Sequence, residues 1–104
     1  MRVVLHIPQA SSLKDRRKVV RSLRDRLYSH FNVSVAEVER TDMWQVATLG
    51  IATVSRDAKG AQGYLHQIED FIRQHPGAEV TELESVIEVF ETDAGPGWVP
   101  PHDD

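Results

Sequence analysis

The sequence predicts an α+β protein in which two helices cover one face of a four-stranded antiparallel sheet. Short β-branched runs alternate with longer segments of helical periodicity, in the order strand, helix, strand, strand, helix, strand. Residues 46–54 contain no charge at either set of alternating positions, which is typical of a central strand. Two split βαβ halves in this order form the ferredoxin-like βαββαβ sandwich, with the first and third strands at the centre. A chain of 104 residues suits one such domain.

The first half of the sandwich begins with a strand at residues 2–7, which are mostly apolar and β-branched and end at Pro8. Ser11 or Ser12 then offers an N-cap for a helix that extends to about His30. At 100° per residue, the apolar side chains of this helix form one stripe and its basic side chains line the flank. The first helix is therefore predicted to be amphipathic and basic.

Two further strands are predicted at residues 33–40 and 44–55, the second of which is the strongest strand signal in the chain. Asp57 is a suitable N-cap for a second helix over residues 58–74, whose apolar residues recur with helical spacing. The chain therefore returns to the sheet after this helix.

The last strand is predicted at residues 79–91, where apolar residues alternate with glutamates. Repeated charge at these positions favours an edge strand, because it discourages pairing with other chains. We place one domain at residues 1–93 and a flexible tail rich in proline, glycine and aspartate at residues 94–104. Trp98 is the exception in that tail, and the sequence does not indicate its role.

The composition excludes several classes of small protein. There is no cysteine, which excludes a disulfide framework, a thiolate nucleophile and a cysteine-ligated zinc or iron–sulfur site. The longest uncharged run, residues 43–55, is too short to cross a bilayer, and the N-terminal residues lack the apolar core of a signal peptide. We therefore expect a cytoplasmic protein with no membrane partner.

The charge is distributed unevenly along the chain. Residues 1–30 hold eight of the twelve Lys and Arg residues but two of the sixteen acidic residues, so the rest of the chain is strongly acidic. The flank of the first helix concentrates the cations in a spacing suited to phosphates along a backbone. The candidate nucleic-acid-binding residues are Lys14, Arg17, Lys18, Arg21 and Arg24. The alternative is a solvated helix face, partly neutralised by Asp15 and Asp25.

Arg16 differs from these cations because it projects into the apolar stripe of the helix, where a charge needs a partner. Glu37, in the predicted second strand, is the expected partner. The two residues would form a structural ion pair; the alternative is an anion-binding site.

The sandwich leaves one sheet face without helices, and strand alternation places small uncharged residues there. An exposed patch of this kind is typical of an interface, so we predict a homodimer. The expected interface residues are Val4, His6, Thr48, Gly50 and Ala52.

Neither a metal site nor a catalytic site is indicated. The five histidines have no i, i+4 pair, although His102 beside two aspartates could bind metal adventitiously. Acylphosphatases share this fold, but the glycine-containing phosphate loop that they place after the first strand is Pro8 to Ser11 here, without glycine. The sequence does not decide whether the protein is an enzyme. We expect no cofactor, no metal and no small-molecule substrate.

Three segments of the chain, SLKDRRKVVRSL (12–23), FNVSVAEVE (31–39) and WQVATLGIATVS (44–55), resemble the bacterial YlxP-like family. The resemblance extends more weakly to about Thr92 and implies a ferredoxin-like fold without an established activity. It also implies an association with RNA or the ribosome, since members are often encoded beside transcription-termination and translation-initiation factors and ribosome-binding factor A. The chain departs from the family in its short start before Pro8 and around Trp44.

The expected function is non-enzymatic binding of RNA or a ribosomal particle through the basic first helix. The alternative is a small homodimeric regulatory or protein-interaction module that uses the open sheet face. The sequence leaves the identity of the partner open.

Overall fold

The computed structural model describes residues 1–39 and 42–90. Within these residues the chain forms the predicted order of strands and helices. The elements are β1 (Arg2–His6), α1 (Leu13–His30), β2 (Ser34–Val38), β3 (Val46–Ala52), α2 (Ala58–Arg73) and β4 (Glu79–Glu84).

The four strands form one antiparallel sheet in the order β2-β3-β1-β4. β1 and β3 are central, and β4 lies at an edge. The β1–β4 ladder contains one irregularity, between Val4 and Leu5, where the Thr81 hydroxyl donates to the Val4 carbonyl oxygen (3.3 Å). The predicted ferredoxin-like α+β class is confirmed.

The core lies between one face of the sheet and both helices. Val3, Leu5 and Ile7 of the β1 segment are fully buried, and so are Ala47 and Leu49 of β3. These residues share one strand parity, because Val3 lies opposite Leu49 and Leu5 opposite Ala47. Residues of both helices pack in the same cluster, namely Val20, Leu23 and Leu27 of α1 and Ile68 and Ile72 of α2. Both helices therefore cover the same face, as predicted.

Each helix begins after an N-cap residue whose side chain accepts a backbone hydrogen bond, Ser12 for α1 and Asp57 for α2. The Ser12 side chain accepts from the Asp15 backbone N–H (3.1 Å), which selects Ser12 over Ser11 as the cap of α1. The Asp57 carboxylate accepts from the Gly60 backbone N–H (2.7 Å) at the start of α2. Gly77, with a φ of +86°, provides the left-handed turn that leads from α2 into β4.

The strands are shorter than the sequence predicted, and β4 and β2 end for different reasons. β4 was expected to continue to residue 91, but Glu84 lies opposite Arg2, the first residue of β1. β2 stops at Val38 because Glu39 has a φ of +50°, which turns the backbone out of the ladder. Residues 40–41, residue 91 and the predicted tail at residues 94–104 lie outside the described residues, as do Trp98 and His102.

An aromatic cluster joins the C-terminal end of α1 to α2. Phe31 contacts Tyr64 and Phe71 edge to face, with ring centroids 5.5 Å and 5.4 Å apart. The Arg26 guanidinium lies 5.5 Å from the centre of the Phe71 ring. His75 is buried just beyond α2, and its Nδ1 has no hydrogen-bond partner among the described residues.

Burial lowers the pKa of His75 below its usual value of 6.5, and the positive charge of Arg26 lowers it further. The folded protein therefore prefers the neutral imidazole, while the unfolded chain binds a proton at pH 6.5. The contribution of His75 to the free energy of unfolding is fully present well above pH 6.5. It decreases as the pH falls through that value and levels off once the pH is below the folded-state pKa.

We expect His75→Gln to flatten this part of the stability profile. The measurement is urea unfolding of both proteins at closely spaced values from pH 7.5 to 4.5. His66→Gln, at an exposed position of α2, is the matched control and should leave the profile unchanged. An identical decline below pH 6.5 in the wild type and His75→Gln would show that His75 is not its cause.

Candidate functional site

The basic face of α1, defined as Lys14, Arg17, Lys18, Arg21 and Arg24, is presented to solvent by the way the helix packs. The buried residues of α1 are Arg16, Val20, Leu23 and Leu27, which recur every three or four positions and point to the sheet. All five residues of the basic face are exposed. From Lys14 to Arg24 they extend along about 15 Å of helix at 1.5 Å per residue.

The basic face is poorly neutralised by the protein itself. Arg24 lies 3.7 Å from the Asp25 carboxylate, an exposed pair of little energetic weight. The other four cations form no ion pair with any described residue. Asp15, the nearest acid at the helix start, accepts hydrogen bonds from the backbone N–H (3.0 Å) and hydroxyl (2.8 Å) of Ser11. These bonds lower the pKa of Asp15 and keep its carboxylate at the helix N-terminus.

Arg16 and Glu37 are brought together at the edge of the core. An Arg16 terminal nitrogen lies 3.2 Å from a Glu37 carboxylate oxygen, and both side chains are largely buried. Arg16 also donates to the carbonyl oxygens of Val46 (3.0 Å) and Met43 (3.4 Å). Glu37 reaches Arg16 because it lies opposite Leu49, on the helix-covered face of the sheet. The Glu37 carboxylate and the two carbonyl oxygens already surround the Arg16 guanidinium. This arrangement favours a structural ion pair over an anion-binding site.

The open face of the sheet is less bare than the alternation suggested, because an ion network centred on Arg2 crosses it. Arg2 forms a bidentate pair with Glu39, with both nitrogen–oxygen distances at 2.7 Å, and this pair passes over β3. On the other side Arg2 contacts Glu82 (2.9 Å) and Glu84 (3.3 Å) of β4. The hydrogen bonds with Glu39 and Glu82 raise the pKa of Arg2, and the bond with Arg2 lowers that of Glu39.

The five expected interface residues all lie on this open face, in different environments. Thr48 is 5% exposed, because Val4 and Val38 flank it on the neighbouring strands. Val38 also leans toward Gly50, with a carbon 3.3 Å from the position that a Cβ would take there. His6 lies 3.4 Å from Glu79, and Ala52 is exposed. A second copy would therefore meet the Arg2 network, Val4, His6 and Ala52, while Thr48 is already covered.

The Arg2 network is the feature that sequence reasoning missed. Part of its signal was available, since Arg2 shares the strand parity of Val4 and His6. The contribution of Glu39 was not, because it depends on the sheet order that places Glu39, at the end of β2, on the far side of β3 from Arg2.

The described residues show neither a metal cluster nor a membrane-spanning helix. Among the described residues, no group of three or more histidine or acidic side chains is arranged to hold a metal ion. In the same part of the chain, neither helix has the length and apolar character needed to cross a membrane.

Fold and charge define a small ferredoxin-like protein with a basic helix on one side and an acidic edge strand on the other. The sequence matches the family described as "Protein of unknown function (DUF503)" over residues 1–85, and the chain belongs to this family. It is 36% identical over 75 residues to "Uncharacterized protein YlxP" of Bacillus subtilis strain 168, covering 72% of this chain and 82% of that relative. The predicted YlxP-like resemblance is thereby confirmed.

We expect Arg16→Met to destabilise the fold by about 3 kcal/mol, because it leaves the Glu37 carboxylate without its cation in a largely buried position. The double variant Arg16→Met, Glu37→Leu should recover most of the loss, since it removes both charges. Arg24→Met, which breaks the exposed pair with Asp25, is the control and should change stability by less than about 0.5 kcal/mol. Urea unfolding monitored by circular dichroism measures all three. Equal midpoints for Arg16→Met and the wild type would contradict the structural role.

Proposed function

We propose that this protein is a non-enzymatic RNA-binding protein whose basic face contacts the phosphate backbone of RNA, in the setting of a ribosomal particle. The observation that carries the proposal is the array of exposed cations on one side of α1, four of which form no ion pair with a described residue, although Lys18 is near enough to Asp15 to act on its charge. A cation without an internal partner can release phosphate counterions at little cost to the fold.

The arrangement suits backbone contact. Three of the five cations are arginines, whose planar guanidinium groups donate hydrogen bonds to two phosphate oxygens at once. Contacts to phosphates set position and affinity but carry no sequence information. None of the four described strands contains a Phe, Tyr or Trp residue on which an unpaired base could stack; the one aromatic ring on these strands is the imidazole of His6, which lies beside Glu79. The proposed recognition is therefore by shape and charge.

The charge asymmetry of the fold also favours one orientation on RNA. Exposed Glu79, Glu82 and Glu84 lie on β4, and Glu39 lies at the end of β2, all on or beside the sheet face that the helices leave open. The basic face lies on the helical side of the sheet. A polyanion would attract the helical side and repel the acidic side, which orients the protein before contact.

Affinity for RNA should fall steeply with salt. Each phosphate contact to a single strand contributes about −0.7 to the slope of log affinity against log salt, so four to five contacts give about −3. The double variant Arg17→Glu, Arg21→Glu should weaken binding at least about tenfold and reduce the slope by more than 1. Fluorescence anisotropy with a labelled oligoribonucleotide, from 50 to about 300 mM salt, measures both quantities.

The matched control carries the same change in net charge on α2, at the exposed residues Lys59 and Arg73. Lys59→Glu, Arg73→Glu should reduce affinity far less, because these residues lie outside the basic face. If both double variants lose affinity equally, net charge and not the basic face governs binding. Sedimentation with ribosomal subunits at low and moderate salt then tests the setting. The wild type should travel with one subunit and the α1 variant should not, and failure of the wild type to travel would reject the ribosomal setting.

A further inference from the structure

The chain leaves the sheet at Glu84 and continues through residues 85–90, here called the arm, with its apolar side chains in solvent. The arm has no β1 residue to pair with beyond Arg2, and it forms neither helix nor strand. Val86 is 77% exposed and Phe90 is 88% exposed. Val89 is also exposed, and Ile87 is close to half-buried. A run of this kind in water is the signature of a surface that another surface covers.

The arm borders an apolar groove. The groove has a volume of about 480 Å³ and lies between the arm and the junction of β3 and α2. Its lining includes Ile51 and Val54 near the end of β3 and Ala61 and Leu65 of α2. Val54 is 94% exposed, so the groove has an open mouth of apolar side chains.

The arm is apolar at both sets of alternating positions. Val86 and Phe90 occupy one set, Ile87 and Val89 the other, and Glu88 is the single charge between them. A segment that packs on its own domain with one side keeps polar residues on the other side. The arm instead has apolar side chains on both sides. One side can pack on the arm's own domain, and the other needs a second apolar surface.

Charge complementarity identifies the second surface. Three charged residues line the groove: Arg56 and Asp57 from the α2 side and Glu88 from the arm. The Asp57 carboxylate is held as the N-cap of α2, while neither Arg56 nor Glu88 forms an ion pair with a described residue. A surface that carries an apolar arm, an apolar groove, one unpaired cation and one unpaired anion complements a copy of itself about a two-fold axis. The outer edge of β2 competes poorly for the arm, because the Tyr28 hydroxyl bonds both the N–H and the carbonyl oxygen of Val35 there.

We propose that this protein forms a two-fold homodimer in which the arm of each copy packs in the groove of the other, with Glu88 of one copy paired to Arg56 of its partner. The interface lies at the end of the sheet and uses none of the residues of the basic face. It also differs from the open sheet face that strand alternation suggested for a dimer. The dimer does not depend on the proposed RNA binding, and its test contains no nucleic acid.

The first measurement is sedimentation equilibrium of the full chain from about 1 to 200 μM. We expect twice the mass of the 11.8 kDa chain at the upper concentrations. Phe90→Glu should convert the dimer to a monomer while retaining cooperative unfolding, because Phe90 is exposed in the single chain and supports no core contact there. A wild type that remains monomeric over the whole range overturns the proposal.

The decisive measurement uses two single charge reversals. In the homodimer of Arg56→Glu two glutamates face each other at both contacts, and in that of Glu88→Arg two arginines do, so each variant should dimerise at least about tenfold more weakly. Mixing the two variants restores opposite charges at both contacts of a heterodimer. We therefore expect two variants that dimerise weakly alone to associate more tightly when mixed.

Controls separate this interface from the others. Lys59→Glu, which changes the same charge on α2 outside the groove lining, should dimerise like the wild type. Ala36→Arg, on the open face of β2, should also leave the dimer intact. Dimers that survive both groove reversals but dissociate with Ala36→Arg would move the interface to the open sheet face and overturn the proposal. A monomeric wild type whose Trp98, in a Trp44→Phe background, emits as a buried indole would assign the groove to the chain's own C-terminal residues.

Discussion

The structure depends on β1, which pairs with a strand at each edge, contributes to the core with one face and carries an ion network on the other. Its edges pair with β3 and β4, and one face supplies Val3 and Leu5 to the core, both fully buried. Its other face carries Arg2, the centre of the ion network on the open side. Because a strand alternates its side chains exactly, a shift of one residue would place Arg2 in the core and Val3 in solvent. The register of β1 therefore sets the position of every other element.

That register also separates the charges of the molecule. The helices lie on the Val3 side, so the exposed flank of α1 forms a basic surface on that side of the sheet. Glu82 and Glu84 share the open face with Arg2, which holds them close together and offsets part of their mutual repulsion. The acidic and basic surfaces belong to opposite sides of one thin layer. A net charge of −4 describes neither of them.

The lengths of the strands decide which surfaces remain without partners. The β1–β4 ladder ends at the pair of Arg2 and Glu84, and the apolar residues of the arm continue into solvent. At the opposite edge of the sheet, the outward backbone groups of Val35 in β2 are not free, because the Tyr28 hydroxyl of α1 forms hydrogen bonds with both. One edge is thus partly closed by a side chain, while the other leads into an exposed apolar segment.

Local chemistry in the sequence determined the order of elements, the N-cap of α2 and the burial side of α1, and it pointed to Glu37 as the acid beside Arg16. Each of these follows from alternation, helical spacing or the cost of a charge in an apolar stripe, which are properties of neighbouring residues. Tertiary structure decided where the strands end, because a ladder continues only while two neighbouring backbones stay paired. It also decided that the Glu39 side chain reaches Arg2, and that Val4 and Val38 cover Thr48. These contacts join residues far apart in the chain, and their geometry exists only after the sheet has assembled.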